Sequence, residues 1–367
     1  MRSHSMRSRR LLALSAVVAA VTMVMGTLLG PHIPRPFADR TGDPLVAGRL
    51  AELASDGDYH HLSVAVVTPE VTKFAGLGAD ERTSMEIGSI TKTMTSLLLI
   101  QAEGDDVLDI TDPASMYLEL GTQPFTLEEL ASHRSGLPRI ESGIGAFLQG
   151  YVSQLRGSDP YTGGVEQLVS AARGSGLSGA GSVSYSNMGV AVLGQAVASA
   201  RGLPYEQVLS QGIFEPLGMS DSFAPVSSSG LTDDAPRGFT SSGRSADPWT
   251  GNAHAPAGGV RSTAADMARY ASALLTADPA LRVDPAASLD PRYNDDDGGS
   301  IGLAWFIDER DGRTITWHNG ATGGYRSILV LDRAAGTAVY IAGDTANGPV
   351  EGIAHALLAE ATRGDFR

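Results

Sequence analysis

Strand-like segments lie at both ends of the body of this chain, with a mostly helical stretch between them. That order restricts the fold more than any other feature. Near the start, residues 61–67 (HLSVAVV) read as a strand and 71–76 as its partner across a Pro-containing turn. Near the end a meander is predicted: 301–307, a turn at Asp311-Gly312, 314–318, then 325–331, a turn at Ala335-Gly336, and 338–342. Helical spacing covers 45–53, 89–103, 263–275 and 350–361, and most of the stretch up to Phe223, which includes a Gly/Ser-rich run at 173–182. Residues 224–260 and 276–300 are dominated by Ser, Gly, Pro and Asp and read as long ordered loops. The pattern predicts an α+β layer fold over 45–365 with an inserted helical lobe at about 105–225, and no internal repeat.

The amino terminus is of different character. Residues 1–40 hold six Arg and one acid, whereas 41–367 hold 21 basic and 40 acidic residues, a net charge of −19. A body so acidic repels phosphate backbones, which argues against nucleic-acid partners. Arg2, Arg7, Arg9 and Arg10 precede an uncharged run at 11–30, LLALSAVVAAVTMVMGTLLG, long enough as a helix to cross one hydrocarbon thickness. The best small-x-small cleavage site, Val24-Met25-Gly26, is poor, so 1–30 reads as a signal anchor or a signal peptide, a membrane contact in either case. The positive flank stays inside, so the acidic body is expected to be exported. Residues 31–44, rich in Pro, read as a short extended linker. With no Cys, the chain has no thiol catalysis, cysteine-ligated metal or disulfide. The acidic run Asn294-Asp295-Asp296-Asp297-Gly298 lacks calcium-loop spacing and reads as a solvated loop.

Three short pieces carry chemistry. Only two of the 27 basic residues are lysines, Lys73 and Lys92. Lys92 closes Gly88-Ser89-Ile90-Thr91-Lys92, where Ser and Lys three apart share one face at the start of a helix. The positive end of that helix favours a developing oxyanion, and the lysine can act as a base once desolvated. The second piece is Tyr185-Ser186-Asn187. A phenol beside an ammonium is expected to titrate below its reference value of about 10 and to relay protons. A loop-facing Tyr with a turn Asn is the plain alternative. The third is Trp317-His318-Asn319-Gly320-Ala321, at the end of a predicted strand, where glycine permits close backbone approach of a substrate along the strand edge. A purely structural His is the alternative there, and a Ser-His-Asp hydrolase lacks its G-x-S-x-G elbow in this chain.

In order, SxxK, Y-x-N and H-x-G on a late strand resemble the serine β-lactamase/penicillin-binding protein family, in its class C, DD-peptidase and esterase branch. The stretches 108–118 (LDITDPASMYL), 126–138 (TLEELASHRSGLP), 214–223 (FEPLGMSDSF) and 258–271 (GGVRSTAADMARYA) are similar to that family too. The resemblance implies a five-stranded antiparallel sheet flanked by helices plus a helical lobe, with the site between them. It implies Ser89 as the acylated nucleophile, Lys92 as its activator and Tyr185 as the proton shuttle. Asn187, His318, Asn319 and Gly320 would bind substrate, and the backbone N–H groups of Ser89 and Ala321 would form the oxyanion hole. No metal or cofactor enters this reading, and His133 reads as structural.

Two departures bear on the substrate. Asn319 and Ala321 stand where carboxylate-recognising members often carry hydroxyls, which weighs against D-Ala-D-Ala ends and toward neutral esters or amides; a carboxylate held by His318 would need its imidazolium form. The expected function is an acyl-enzyme serine hydrolase of D-alanyl-D-alanine-type peptides or β-lactams, with a small molecule or a peptidoglycan peptide as substrate. A carboxylesterase or D-amino-acid amidase on the same site is the alternative. A non-catalytic penicillin-binding sensor is the reading from another class, opposed by the presence of both Ser89 and Lys92.

Overall fold

A computed structural model describes residues 17–23, 26, 39–57, 59–140, 153, 157–227, 231, 236–295 and 298–366. Its strands are β1 (Arg40–Gly42), β2 (Leu62–Val67), β3 (Thr72–Leu77), β4 (Met85–Glu86), β5 (Arg261–Ser262), β6 (Tyr293–Asn294), β7 (Ser300–Ile301), β8 (Phe306–Arg310), β9 (Arg313–Ala321), β10 (Arg326–Asp332) and β11 (Thr337–Gly343). The longer helices are α1 (Pro44–Leu53), α2 (Thr91–Gly104), α3 (Val165–Gly174), α4 (Asn187–Arg201), α5 (Ala264–Thr276) and α6 (Val350–Arg363).

Nine strands form one antiparallel sheet in the order β1-β3-β2-β11-β10-β9-β8-β7-β6, so the two ends of the chain meet at the β2–β11 pair. The expected five-stranded sheet is thus too small. β3, β2, β11, β10 and β9 form its centre, β1 extends one edge, and β8, β7 and β6 extend the other. β1 falls within the segment read as linker, β6 within a segment read as loop, and β7 spans the end of that loop and the first residue of the strand predicted at 301–307. Strands of two or three residues carry no usable periodicity and are set by their pairing partners. The other loop segment, 224–260, carries short helices at Asn252–His254 and Ala255–Gly258. Asp295 lies in the β6–β7 hairpin, its N–H donating to Gly299 O, while Asp296 and Asp297 lie outside the described residues. Among the described residues no helix is long and apolar enough to cross a membrane, and only 17–23 and 26 of the apolar 11–30 run are described.

Both faces of the sheet are covered, which is why its central strands are continuously apolar. On β2, β10 and β11 alternate residues enter two different cores, as a period of two requires. Val64, Val66, Ile328, Val330, Val339 and Ile341 pack with Val46 and Leu50 of α1 and Ile353 and Leu357 of α6. Ala65, Val67, Leu329, Leu331, Ala338 and Tyr340 join the second core, with Met94 and Leu97 of α2, Tyr270 of α5 and the helical lobe. α1 starts on Pro44 behind the Asp43 cap, whose carboxylate accepts from the N–H groups of Leu45 and Val46. The β8–β9 hairpin turns on Asp311 (φ 52°) and Gly312 (φ 71°), the pair of positive φ angles that a two-residue loop demands.

Candidate active site

Ser89, the expected nucleophile, does not open an α-helix. Ser89 sits in a tight 3-10 turn, Gly88–Ile90, that feeds directly into α2. The turn is fixed from three sides. Ile87 N–H donates to Val260 O (3.0 Å), Ser327 Oγ donates to Ile87 O (2.7 Å), and Thr91 Oγ1 donates to Gly88 O (2.7 Å). The end of β9 presses against the same turn. A Cβ on Gly320 would stand 2.0 Å from Ile87 O and 2.3 Å from Ser327 Oγ, so only glycine allows that approach. An added Cβ on Gly88 would stand 2.7 Å from Ala321 N, which brings the Ala321 N–H beside the Ser89 turn.

β8 pairs with β9 only as far as Phe306 opposite Trp317, whereas β10 continues to Arg326 opposite Ala321. Residues 318–321 therefore run past β8 with one edge unpaired by the sheet. A cleft of 720 Å³ opens there, lined by Ser89, Tyr185 and Asn187 on one wall and by Asn319 and Ala321 on the other.

Lys92 Nζ lies 2.9 Å from Ser89 Oγ and donates to Ala257 O at 2.5 Å. The lysine has 0% exposure, and this burial, reinforced by the Arg139 charge, holds its pKa well below the ordinary value. Tyr185 was expected to titrate below a free phenol, and the structure reverses that sign. Burial pushes it up to about 12, against the opposing pull of its hydrogen bond with Ser89 and the charge of Arg139. Lys92 Nζ and the Arg139 guanidinium each lie 5.0 Å from the Tyr185 ring centroid. The expected lowering required an ammonium, and burial disfavours that form of Lys92. Asn187 donates from Nδ2 to Tyr161 Oη (3.3 Å), and its buried Oδ1 has no protein partner.

His318 also differs from expectation. It has 0% exposure, and burial together with Lys92 lowers its pKa to about 3, so it is a neutral imidazole and not a cation for a substrate carboxylate. Its Nδ1 lies 2.6 Å from Asn319 O; a carbonyl only accepts, so this hydrogen-bond network puts the proton on Nδ1 and leaves Nε2 as an acceptor. Asn319 is diverted as well, its Nδ2 donating to Glu351 Oε1 at 2.6 Å.

His133 carries the opposite tautomer. Its Nδ1 accepts from Ser186 N–H (3.3 Å), which leaves the proton on a buried Nε2, and its carbonyl accepts from Ser184 N–H (2.7 Å). These two bonds bracket Tyr185, whose ring lies 4.5 Å from the His133 ring. The structural role read for His133 thus acts on the phenol itself.

Several lining residues escaped the sequence reading: Arg139, Tyr161, Trp249, His254, Phe306 and Arg326. Trp249 is held by its N–H donating to Glu86 Oε1 (2.9 Å), and Glu86 is itself paired with Arg261 at 3.1 Å in the interior. One signal was available. Of the three Trp, Trp249, in a segment read as loop, and Trp317, near the end of a predicted strand, line the cleft, while Trp305 is core.

The chain is 32% identical over 206 residues to the D-alanyl-D-alanine-carboxypeptidase/endopeptidase AmpH of Escherichia coli, covering 53% of this chain and 49% of that protein. It is 25% identical over 254 residues to a beta-lactamase of Pseudomonas fluorescens, covering 64% and 63%. The match thus spans about half the length of the first relative and under two thirds of the second. Among solved structures, the class C beta lactamase from Rhodobacter sphaeroides superposes with a TM-score of 0.73 at 19% identity, covering 88% of this chain and 99% of that one. The beta-lactamase/D-alanine carboxypeptidase from Pseudomonas syringae gives 0.72 at 17% identity, covering 88% and 98%. At such identities these two show the fold alone. The family model described as Beta-lactamase matches residues 46–363, and the chain belongs to that family.

Proposed function

We propose that this chain is an exported serine hydrolase that forms an acyl-enzyme on Ser89 and acts on D-alanyl-D-alanine-type peptides or β-lactams. The observation that carries the reading is the contact of Ser89 Oγ with a wholly buried amine, Lys92 Nζ, at 2.9 Å. A neutral lysine has a lone pair and can take the Ser89 proton as the oxygen attacks the substrate carbonyl. Charge on the carbonyl oxygen then develops toward the N–H groups of Ser89 and Ala321. Tyr185, with its pKa pushed up to about 12, is at neutral pH a phenol that can pass its proton to the leaving nitrogen and be reprotonated from Lys92. Water attacking the ester reverses the same transfers. A substrate strand would lie along the open 318–321 edge, with Asn187 meeting an amide of its acyl side. The basic 2–10 segment and the apolar 11–30 run support export, with 31–39 as the connection to the domain.

A neutral His318 favours a second reading, a carboxylesterase or D-amino-acid amidase whose substrates carry no carboxylate at that point. One panel separates the two: acyl-D-Ala-D-Ala, nitrocefin and a short-chain nitrophenyl ester, offered to residues 40–367. A fluorescent penicillin should label the wild type and leave Ser89→Ala unlabelled. Equal labelling of both would remove Ser89 from the chemistry. Turnover of the ester with neither peptide nor β-lactam consumed would move the second reading ahead.

A further inference from the structure

Among the described residues, Glu86 and Arg261 are the one pair of opposite charges buried on both sides, with side chains 3% and 2% exposed. Burial pushes the Glu86 carboxyl above its ordinary value even against the Arg261 charge. A pair so placed returns little stability, and two apolar side chains of similar size would fill the space as well. Its partners show a different use.

Glu86 lies three residues before Ser89 and faces Arg261 across the β4–β5 pair. The residues just before Arg261 hold the neighbourhood of Ser89: Val260 O accepts from Ile87 N–H (3.0 Å) and Ala257 O from Lys92 Nζ (2.5 Å). Arg261 Nη2 donates to Ser84 O (3.2 Å) and to Tyr325 Oη (3.3 Å), and the Tyr325 hydroxyl donates to Pro236 O. Tyr325 O in turn accepts from Thr322 N–H (3.1 Å), which closes the turn that follows Ala321. The guanidinium therefore ties the segment leading into Ser89 to the turn that fixes the end of β9, where the Ala321 N–H stands beside the Ser89 turn. The carboxylate holds the other wall. Glu86 Oε1 accepts from Trp249 N–H (2.9 Å), the indole meets the Tyr161 ring edge-on at 5.3 Å, and Tyr161 Oη accepts from Asn187 Nδ2 (3.3 Å). Trp249 lines both the main cleft and a second cavity of 380 Å³. Neither Glu86 nor Arg261 lines the cleft, so the pair acts through these contacts and not on substrate.

We propose that the buried Glu86–Arg261 pair is a positioning device: it sets the Ala321 N–H against the Ser89 turn through Tyr325, and sets the cleft wall through Trp249. The proposal rests on the reading of Ser89 as the acylated residue. Glu86→Leu combined with Arg261→Met removes both charges together, so this variant should melt close to the wild type. Its acylation by fluorescent penicillin, measured at saturating label, should nevertheless slow about ten- to a hundredfold, as small misplacements of reacting groups do. Trp249 gives a second readout. The acrylamide quenching that is lost in Trp249→Phe measures the exposure of that indole, and it should increase in the double variant. Glu86→Gln with Arg261→Met returns an acceptor to the Trp249 N–H. It should restore the quenching but not the labelling rate, because Tyr325 still lacks its donor. If the double variants fold poorly, Glu86→Asp keeps both charges, draws the carboxylate back by one methylene and should slow labelling at least about tenfold. A Glu86→Leu/Arg261→Met protein that melts and labels as the wild type does, or a Glu86→Asp protein with the wild-type labelling rate, overturns the proposal. Unchanged Trp249 quenching in Glu86→Leu/Arg261→Met overturns it too. Failure of the acyl-enzyme reading would register elsewhere, as no Ser89-dependent labelling by fluorescent penicillin in the wild type.

Discussion

Replacing Lys92 by Met tests whether the buried lysine is the neutral base that the proposed chemistry needs. Met has similar length and no titrating group, so the substitution removes one proton-binding site and little volume. In the unfolded chain the amine titrates near 10.4. In the folded chain burial, reinforced by Arg139, places that titration well below its ordinary value. Between the two values the unfolded state holds one proton more than the folded state, so stability rises with pH by up to about 1.4 kcal/mol per unit. Below the folded value both states are protonated and the full cost of the buried charge is felt; above about 10.4 the gain is complete. The interval from pH 7.5 to 9 isolates this group. His133, His254 and His318 titrate below their ordinary value and have finished by then. The buried tyrosines, with raised pKa values, begin to cost stability only as unfolded tyrosine ionises near 10. Loss of the donor to Ala257 O costs about 1–3 kcal/mol at every pH and shifts the curve without tilting it. Urea unfolding of both proteins at half-unit steps should therefore show a stability difference that grows as pH rises across the interval, by at most about 2 kcal/mol. Parallel curves would mean that the native amine keeps its proton, and Lys92 could not then be the base.

Two further outcomes follow from the packing around the site. Gly320→Ala should cost about 1–3 kcal/mol in unfolding free energy and slow acylation at least about tenfold, because its methyl collides with Ile87 O, a backbone atom of the serine turn; wild-type melting and labelling rates would refute the contact. His133→Leu should lower kcat more than it raises KM, through lost control of Tyr185, whereas His133→Asn should recover most of the rate. Asn offers an acceptor to Ser186 N–H and tolerates the φ of 58° at this position; equal kcat in both variants would make His133 a bystander.

The chemistry was legible in the sequence where it depends on neighbours along the chain. Ser89 and Lys92 are three residues apart, and a helical start brings them together whatever surrounds them. The central strands were legible because burial on both faces writes itself as unbroken apolar runs. Protonation states were not, because they depend on what is packed around a group from elsewhere. His318 looks like a cation on paper and becomes a neutral acceptor under Tyr185 and Phe306. Tyr185 was given the wrong direction for the same reason: the burial that raises the phenol also disfavours the ammonium form of Lys92. Arg326 and Trp249 were missed because only sheet register and a distant Glu86 bring them to the cleft. The three shortest strands of the large sheet, β1, β6 and β7, exist through pairing and leave no periodic trace.

The division of labour between arginine and lysine follows from the same electrostatics. A guanidinium stays charged in any protein environment, so it suits the cleft wall, which Arg139 and Arg326 line. It could not serve beside Ser89, because it has no lone pair to receive a proton. An ammonium gives up its charge when desolvated, which makes lysine the cation whose identity burial can change. The chain has two lysines among 27 basic residues. Lys73 is paired with Asp43 at 3.1 Å near the start of α1, where arginine could stand as well. Lys92 has no such substitute. The burial that lowers the Lys92 pKa also raises that of Tyr185, so in the proposed chemistry one buried pocket would favour an uncharged base and an uncharged acid beside Ser89. A single proton can then pass from serine to amine, and from phenol to leaving group, with both groups restored to neutrality at the end of each half-reaction.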